Sequence, residues 1–299
     1  MDSFIALTRL SECGLKVDVA HTDGLLHRVP TINKPQGKNG WYICFDDVLV
    51  VGDWTTGAIQ KFYTTGKRKA VFKRRTEKLI ARKQAELEQK QCAAALSANN
   101  IYSRSKSVFG FFEYLHKKNI KPTSDMRFYR NERLARDELI IPLIDLYTGE
   151  ICNIQRITSS GEKRFLAGCR VTGLCFPIGL TEPPAKLFIA EGVATAIALH
   201  KNAAAPTLAA LNAGNLKTIA TQARLLWPSV ELTIAADDDY LTEQKTGVNP
   251  GLSKAWEAAQ ASLASVSAPP FTLEQKLAGN TDWNDYFNIT AKHGRRSNA

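Results

Sequence analysis

The chain has 299 residues, 44% hydrophobic and 23% charged, and its 39 Lys+Arg against 29 Asp+Glu give a formal net charge of +10. This composition excludes a disordered polymer and a disulfide-stapled miniprotein, and the length allows two modest domains or one large one. The positive excess points to a polyanionic partner, nucleic acid or an acidic surface, and carries no information about fold.

The six cysteines (Cys13, Cys44, Cys92, Cys152, Cys169, Cys175) contain no C-x-x-C pair, and none stands beside a histidine at finger spacing, so no zinc site is expected. Scattered thiols and an N-terminus without a secretory apolar region fit a reducing compartment. No apolar run approaches the roughly 18 residues of a membrane span. The expectation is a soluble, cytoplasmic protein that does not engage a membrane.

In chain order, residues 1–66 carry aromatic and β-branched runs, Trp41-Tyr42-Ile43-Cys44-Phe45 and Val48-Leu49-Val50-Val51, broken by polar turns, and predict an N-terminal β-rich unit. Trp41 and Trp54 could stack on bases, but in so small a unit they are expected in its core. Between Lys67 and Lys90 ten basic residues face three acidic ones, which accounts for +7 of the +10. With no Gly or Pro up to about Asn99, this predicts a long, solvated basic helix able to track a phosphate backbone, with Lys73, Arg74 and Arg75 in its most basic stretch. Residues 101–135 read as mainly helical, which closes a region 67–135. Residues 136–184 form a small β-rich lobe, with strands at 138–144, 151–157 and 164–166 separated by turns at Gly149 and Gly161. Pro183-Pro184 marks a boundary.

Beyond it, over 185–290, strands and helices alternate: a strand Leu187–Ala190, a helix Val193–His200, a strand Thr207–Leu211, a helix Leu216–Trp227, a strand Glu231–Ala236 and a helix Leu252–Leu263. Such βαβ units predict an α/β fold with a parallel sheet flanked by helices. In an open sheet of this kind the carboxyl ends of the strands line the functional crevice. Glu191 ends the first strand and Asp237-Asp238-Asp239 end the third. In extended chain Asp237 and Asp239 project to one side and Asp238 to the other. A single Asp there reads as a turn or helix cap. A Glu at one strand end with D-x-D at another instead makes a carboxylate cluster that needs a cation, and an all-oxygen shell suits Mg²⁺ or Mn²⁺.

These residues resemble the Toprim domain in the form found in phage and plasmid (mobile-element) DNA primases. The likeness is carried by Leu187–Leu199 (LFIAEGVATAIAL), Asn212–Leu216, Ala235–Asp239, Asn249–Ala255 and Thr281–Asp285. Upstream it includes Ile141–Gln155, Gly161–Gly168 and Cys175–Gly179, similar to the small α+β lobe that precedes Toprim in these primases. Asp23-Gly24 with His27-Arg28, Asn39-Gly40-Trp41, and Gly52-Asp53-Trp54 with Gly57 are similar to a companion domain of the family. The resemblance implies a DNA-directed RNA polymerase of primase type, a nucleotidyltransferase that makes short RNA primers on a single-stranded DNA template from ribonucleoside triphosphates. Glu191, Asp237 and Asp239 would be the catalytic, metal-holding acids of a two-metal site, and Asp282 and Asp285 would complete the metal environment, unless Asp282 only caps a helix. Lys163 and Arg164 follow a turn in the small lobe and are candidates for the triphosphate or template backbone, with Arg156 and Arg170 weaker ones.

Many relatives carry a zinc module before this region and a helicase after it. The chain has neither the cysteines for the first nor a P-loop for the second. The expectation is a minimal primase core that draws on a helicase or template-recognition protein in trans. The rival readings are a Toprim-type metal-dependent nuclease and a non-catalytic DNA-binding replication factor.

Overall fold

The computed structural model of the chain describes residues 1–45, 48–63, 69–108, 110–180 and 183–296. The chain divides into two units, Met1–Glu86 and Leu87–Ala299.

The first unit opens with helix α1 (Ser3–Glu12), where the Asp2 side chain caps the helix by accepting from Phe4 N–H. Four antiparallel strands follow in sequential order, β1 (Leu26–Val29), β2 (Gly40–Cys44), β3 (Val48–Asp53) and β4 (Ile59–Tyr63). The core packs Ala6 and Leu10 of α1 on Tyr42, Cys44, Leu49 and Val51, the alternate residues of the central strands. The unit is β-rich as its runs predict, with α1 added; Phe4 and Ile5 are exposed and blur the helical period. The two tryptophans depart from expectation. Trp54 is 51% exposed, neither Trp41 nor Trp54 is in the core, and Tyr42 fills that place. Trp41 lies one position before Tyr42 on its strand, so the alternation sends it to the other face.

Helix α2 (Lys69–Arg104) is long, as the basic run predicts, and belongs to the first unit up to Glu86 and to the second from Leu87. Lys67 and Arg68, and the side chains of Lys73, Arg74 and Arg75, lie outside the described residues. Near the C-terminal end of α2, Ala98 packs on Ile140 and Ile154.

In the second unit the elements after α2 are β5 (Lys106–Ser107), α3 (Glu113–Lys118), β6 (Arg127–Asn131), β7 (Arg136–Asp145), β8 (Ile151–Thr158), β9 (Lys163–Phe165) and β10 (Leu174–Ile178). Residues 101–135 are therefore not mainly helical. Helix α2 ends at Arg104, the helix α3 that follows is short, and Arg127–Asn131 is a strand because Phe128 and its neighbours pair along Leu139 and Ile140 of β7. The Toprim-like stretch supplies β11 (Lys186–Ala190), α4 (Val193–Ala203), β12 (Thr207–Ala209), α5 (Leu216–Leu226), β13 (Glu231–Ala235), α6 (Tyr240–Thr246), α7 (Pro250–Ser262), β14 (Ser265–Ser267), α8 (Leu273–Leu277) and α9 (Trp283–Arg296).

Strands β14, β13, β11 and β12 run parallel in that order. The sheet does not stop at Pro183-Pro184. β12 pairs antiparallel with β10, β10 with β7, and β7 with β6 and β8, in one ten-stranded sheet. The apolar strand positions alternate between two layers: Leu187, Ile189, Leu232 and Ile234 face α5 and α7, whereas Ala190 and Ala235 face the cluster containing Val193 and Ile197 of α4. After β11 the chain crosses by α4 to β12 on one side, then returns by α5 to β13 on the other. The switch point lies between β11 and β13, where a crevice opens at the strand ends.

Candidate active site

Two parallel strands in register end together at the switch point, Ala190 opposite Ala235. Glu191 is the first residue past β11 and is followed at once by Gly192, the N-cap of α4. Its backbone is fixed by Leu211, whose N–H donates to Glu191 O at 2.7 Å. Burial pushes the Glu191 carboxyl up from its ordinary value and Asp239 adds to the rise, while Lys163 pulls it down.

Past β13 the three aspartates separate. Asp238 turns away and is buried, accepting from Asn249 Nδ2 at 2.9 Å and pairing with Lys276 Nζ at 2.8 Å. Asp239 Oδ2 accepts from Gly251 N–H at 3.0 Å, in the first turn of α7. Asp237 is raised to about 8 by burial, then by the charges of Asp282, Glu191, Asp239 and Asp285, and its Oδ1 is buried without a hydrogen-bond partner. The D-x-D alternation read from the sequence thus has a physical basis: Asp237 and Asp239 belong to the acidic crevice, and Asp238 to the packing behind it.

Asn249 holds this loop. Its Oδ1 accepts from Asp239 N–H at 3.1 Å and caps α7 through Leu252 N–H at 3.2 Å, while Nδ2 reaches Asp238 and Glu243. Gly251 follows of necessity, because a Cβ there would sit 2.3 Å from the Asp237 carbonyl oxygen. Neither residue received a role from the sequence, although Asn-Pro-Gly before an apolar period is a helix-start signal.

Asp282 and Asp285 do two things at once. Asp285 N–H donates to Asp282 Oδ1 at 2.9 Å and Thr281 N–H to Asp285 Oδ2 at 3.2 Å, a reciprocal cap on α9. Thr281 O in turn accepts from Asp238 N–H at 2.7 Å, which ties this cap to the β13 loop. Both carboxylates also raise Asp237, and Asp282 is itself raised by burial and by Asp285.

The cations divide by strand geometry. On β9, the exposed Lys163 stem ends in an ammonium 5.8 Å from the centre of the Tyr114 ring, crowded enough that desolvation lowers its pKa, with Lys118 adding repulsion and Asp282, Glu191 and Asp237 opposing. Arg164 is the next residue, so it points the other way and pairs with Glu162 at 2.6 Å. Arg156 lies 3.8 Å from the buried Glu138, and Arg170 pairs with Asp145. Lys118, which the sequence reading did not single out, stands 4.0 Å from Asp282 at the end of α3, where its carbonyl accepts from Asn284 and Asn288 of α9. Only this long-range docking identifies it.

The acids of this crevice lie within a stretch that a known family covers. Residues 186–293 match the family model described as the Toprim domain, and this part of the chain is a Toprim domain. The chain is 30% identical over 256 residues, 80% of its own length, to an Escherichia coli protein named DNA primase TraC, and 29% identical over 252 residues, again 80% of its length, to a second protein of that name and organism. It spans 23% and 17% of the length of these two relatives. Among solved structures, the primase fragment of the bacteriophage T7 primase-helicase protein is similar with a TM-score of 0.44 and 12% identity, over 65% of this chain and 78% of that one.

Proposed function

We propose that the second unit is a primase core, which joins ribonucleoside triphosphates on a single-stranded DNA template by divalent-metal-dependent nucleotidyl transfer. The observation that carries this reading is Asp237, a carboxyl raised to about 8 with an orphaned oxygen, among four other acids from two neighbouring strand ends and the α9 cap. A buried acid in that state favours a proton or a metal ion over an empty charge.

The donor set fits a hard cation, since it is all oxygen and mutually repulsive. Among the described residues no three His, Cys, Asp or Glu side chains already form a metal-holding group. A bound Mg²⁺ or Mn²⁺ on Glu191, Asp237 and Asp239 would therefore keep waters and phosphate oxygens in its shell, as Mg²⁺ commonly does. Such ions, when bound, supply Lewis acidity to the α-phosphate and to the attacking 3′-hydroxyl. The chain's own residues do the rest. Asn249 and the α7 N-terminus hold Asp239 in place, Asp237 keeps a proton until a cation arrives, and Lys163 and Lys118 supply positive charge on the side from which a triphosphate approaches.

The test is incorporation of labelled ribonucleotides on a single-stranded template with and without Mg²⁺ or Mn²⁺. Activity that needs the metal and falls at least 100-fold in Asp237→Asn and Glu191→Gln is expected. Identical products from wild type and Asp237→Asn overturn the reading. Metal-dependent DNA cleavage without triphosphates would assign the site to a nuclease, and salt-sensitive DNA binding without turnover to a binding factor.

A further inference from the structure

The N-terminal unit carries a surface that the catalytic reading leaves unused. In its sheet Tyr42, Leu49 and Val51 point to the core, and the facing row runs outward: Arg28 opposite Trp41, Trp41 opposite Gly52, Gly52 opposite Ile59. The Trp41 indole lies over Gly52, where a Cβ would sit 2.4 Å from the ring. Trp54 follows in the β3–β4 turn, fixed by its N–H donating to Asn39 O at 3.0 Å and by Asp53 Oδ1 accepting from Thr55 N–H at 2.7 Å. The two indoles stand 5.8 Å apart between ring centroids, tilted by 32°. The Arg28 guanidinium sits 4.6 Å over Trp54, held there as Nε and Nη2 donate to the Lys38 carbonyl at 3.2 and 3.1 Å. No carboxylate among the described residues pairs with it, and Lys61 projects from the same face of β4.

We propose that this platform binds single-stranded DNA, with a base stacked on the exposed Trp54 indole and the adjoining phosphate on Arg28. Three observations favour that occupant. An indole presented on a hydrogen-bonded turn offers a flat face at little entropic cost, which suits an unpaired base of any identity. The guanidinium is already oriented, so a phosphate gains the donors that Lys38 leaves over, those of Nη1 and the second N–H of Nη2, without freezing a long side chain. The charge of the row is positive, and the Asp53 carboxylate beside it is turned into its own loop. Duplex DNA would offer phosphates alone and leave the indoles bare. The inference is independent of the catalytic reading of the Toprim crevice.

The test is fluorescence anisotropy of a labelled dT 12-mer titrated with the full chain in EDTA at several salt concentrations, with far-UV circular dichroism to check folding. Trp54→Ala is expected to weaken single-strand binding by about 5- to 160-fold, the span of a lost base stack. Its slope of log K against log salt stays as in wild type, and Trp54→Phe restores most of the affinity. Arg28→Ala is expected to weaken binding and to reduce that slope by about 1. A duplex of the same length responds to Trp54→Ala less than twofold. Single-strand affinity unchanged in both Trp54→Ala and Arg28→Ala overturns the proposal, as does an equal loss for single strand and duplex. So does a Trp54→Ala chain that sediments at lower mass with unaltered DNA binding, since the face would then join two copies of the chain. If Trp54→Ala does not fold, Trp54→Phe decides: tryptophan emission quenched by the dT 12-mer in the wild type and less so in Trp54→Phe supports the platform, and equal quenching of the two, or none, refutes it.

Discussion

Replacing Asp237 by Asn should make the protein more stable while abolishing its chemistry. The Asp237 carboxyl is held at about 8 by burial and by its acidic neighbours, whereas in an unfolded chain it ionises near its ordinary value of about 4. Between those two values the folded chain retains a proton that the unfolded chain has released. Stability therefore falls as pH rises through that window and levels off above about 8. At about 1.36 kcal/mol per pH unit, the interval up to pH 7 sets a ceiling of about 4 kcal/mol on what the acid costs the fold. Relaxation and partial solvation of the crevice bring the expected gain from Asp237→Asn to about 2 kcal/mol, a rise in melting temperature of about 4–8 °C for a unit of this size. The assay is thermal unfolding followed by circular dichroism in EDTA, at pH values from about 4.5 to 8.5, for both proteins. The difference should be largest at the alkaline end and smallest at the acid end, where the pH has only just passed the ordinary value of an aspartate and the unfolded chain has gained least from releasing its proton. A variant that melts at or below wild type at pH 8, or a difference that does not change with pH, refutes the account of a frustrated acid.

The other expectations concern the loop that carries this acid and the cations beside it. Gly251→Ala brings a Cβ to 2.3 Å from the Asp237 carbonyl; it should cost about 1–3 kcal/mol in urea unfolding despite the better helix propensity of alanine, and lower primer synthesis as well. Asn249→Ala removes a helix cap and one of two partners of a buried carboxylate, for an expected loss of about 2–3 kcal/mol; a midpoint within error of wild type contradicts that role. Lys163→Met should raise the apparent KM for nucleotide at least tenfold in steady-state kinetics, with Arg164→Met changing it less than twofold. Equal effects would mean that strand alternation on β9 does not divide the two.

The βαβ part of the fold was legible because its strands are short, nearly continuous apolar runs and each of its helices repeats small residues on one face. The same simplicity puts Glu191 and Asp237 at strand ends from the sequence alone. Other features depended on where the chain returns in space. Arg127–Asn131 has a polar, aromatic sequence that becomes a strand only by pairing with β7. Lys163 and Arg164 look alike in sequence, and only the direction of β9 separates the one beside the crevice from the one paired with Glu162. Lys118 became relevant through the α9 asparagines that hold its carbonyl. The usual habit of tryptophan predicts a core position for Trp54, and the turn chemistry of Asp53 and Asn39 sets it outside.

The pairing of β12 with β10 has a mechanical consequence. A boundary drawn at Pro183-Pro184 on sequence grounds falls in the connection between two strands of one sheet, not in a linker between two bodies. Cutting the chain there would strip β12 of its neighbour and expose a row of unsatisfied amides and carbonyls beside an apolar layer, the kind of edge that recruits other strands. Lys163 and the acidic crevice therefore share one framework. A load applied to the small lobe passes to the crevice through backbone hydrogen bonds, so the spacing between the cation and the acids is set by the sheet rather than by a hinge.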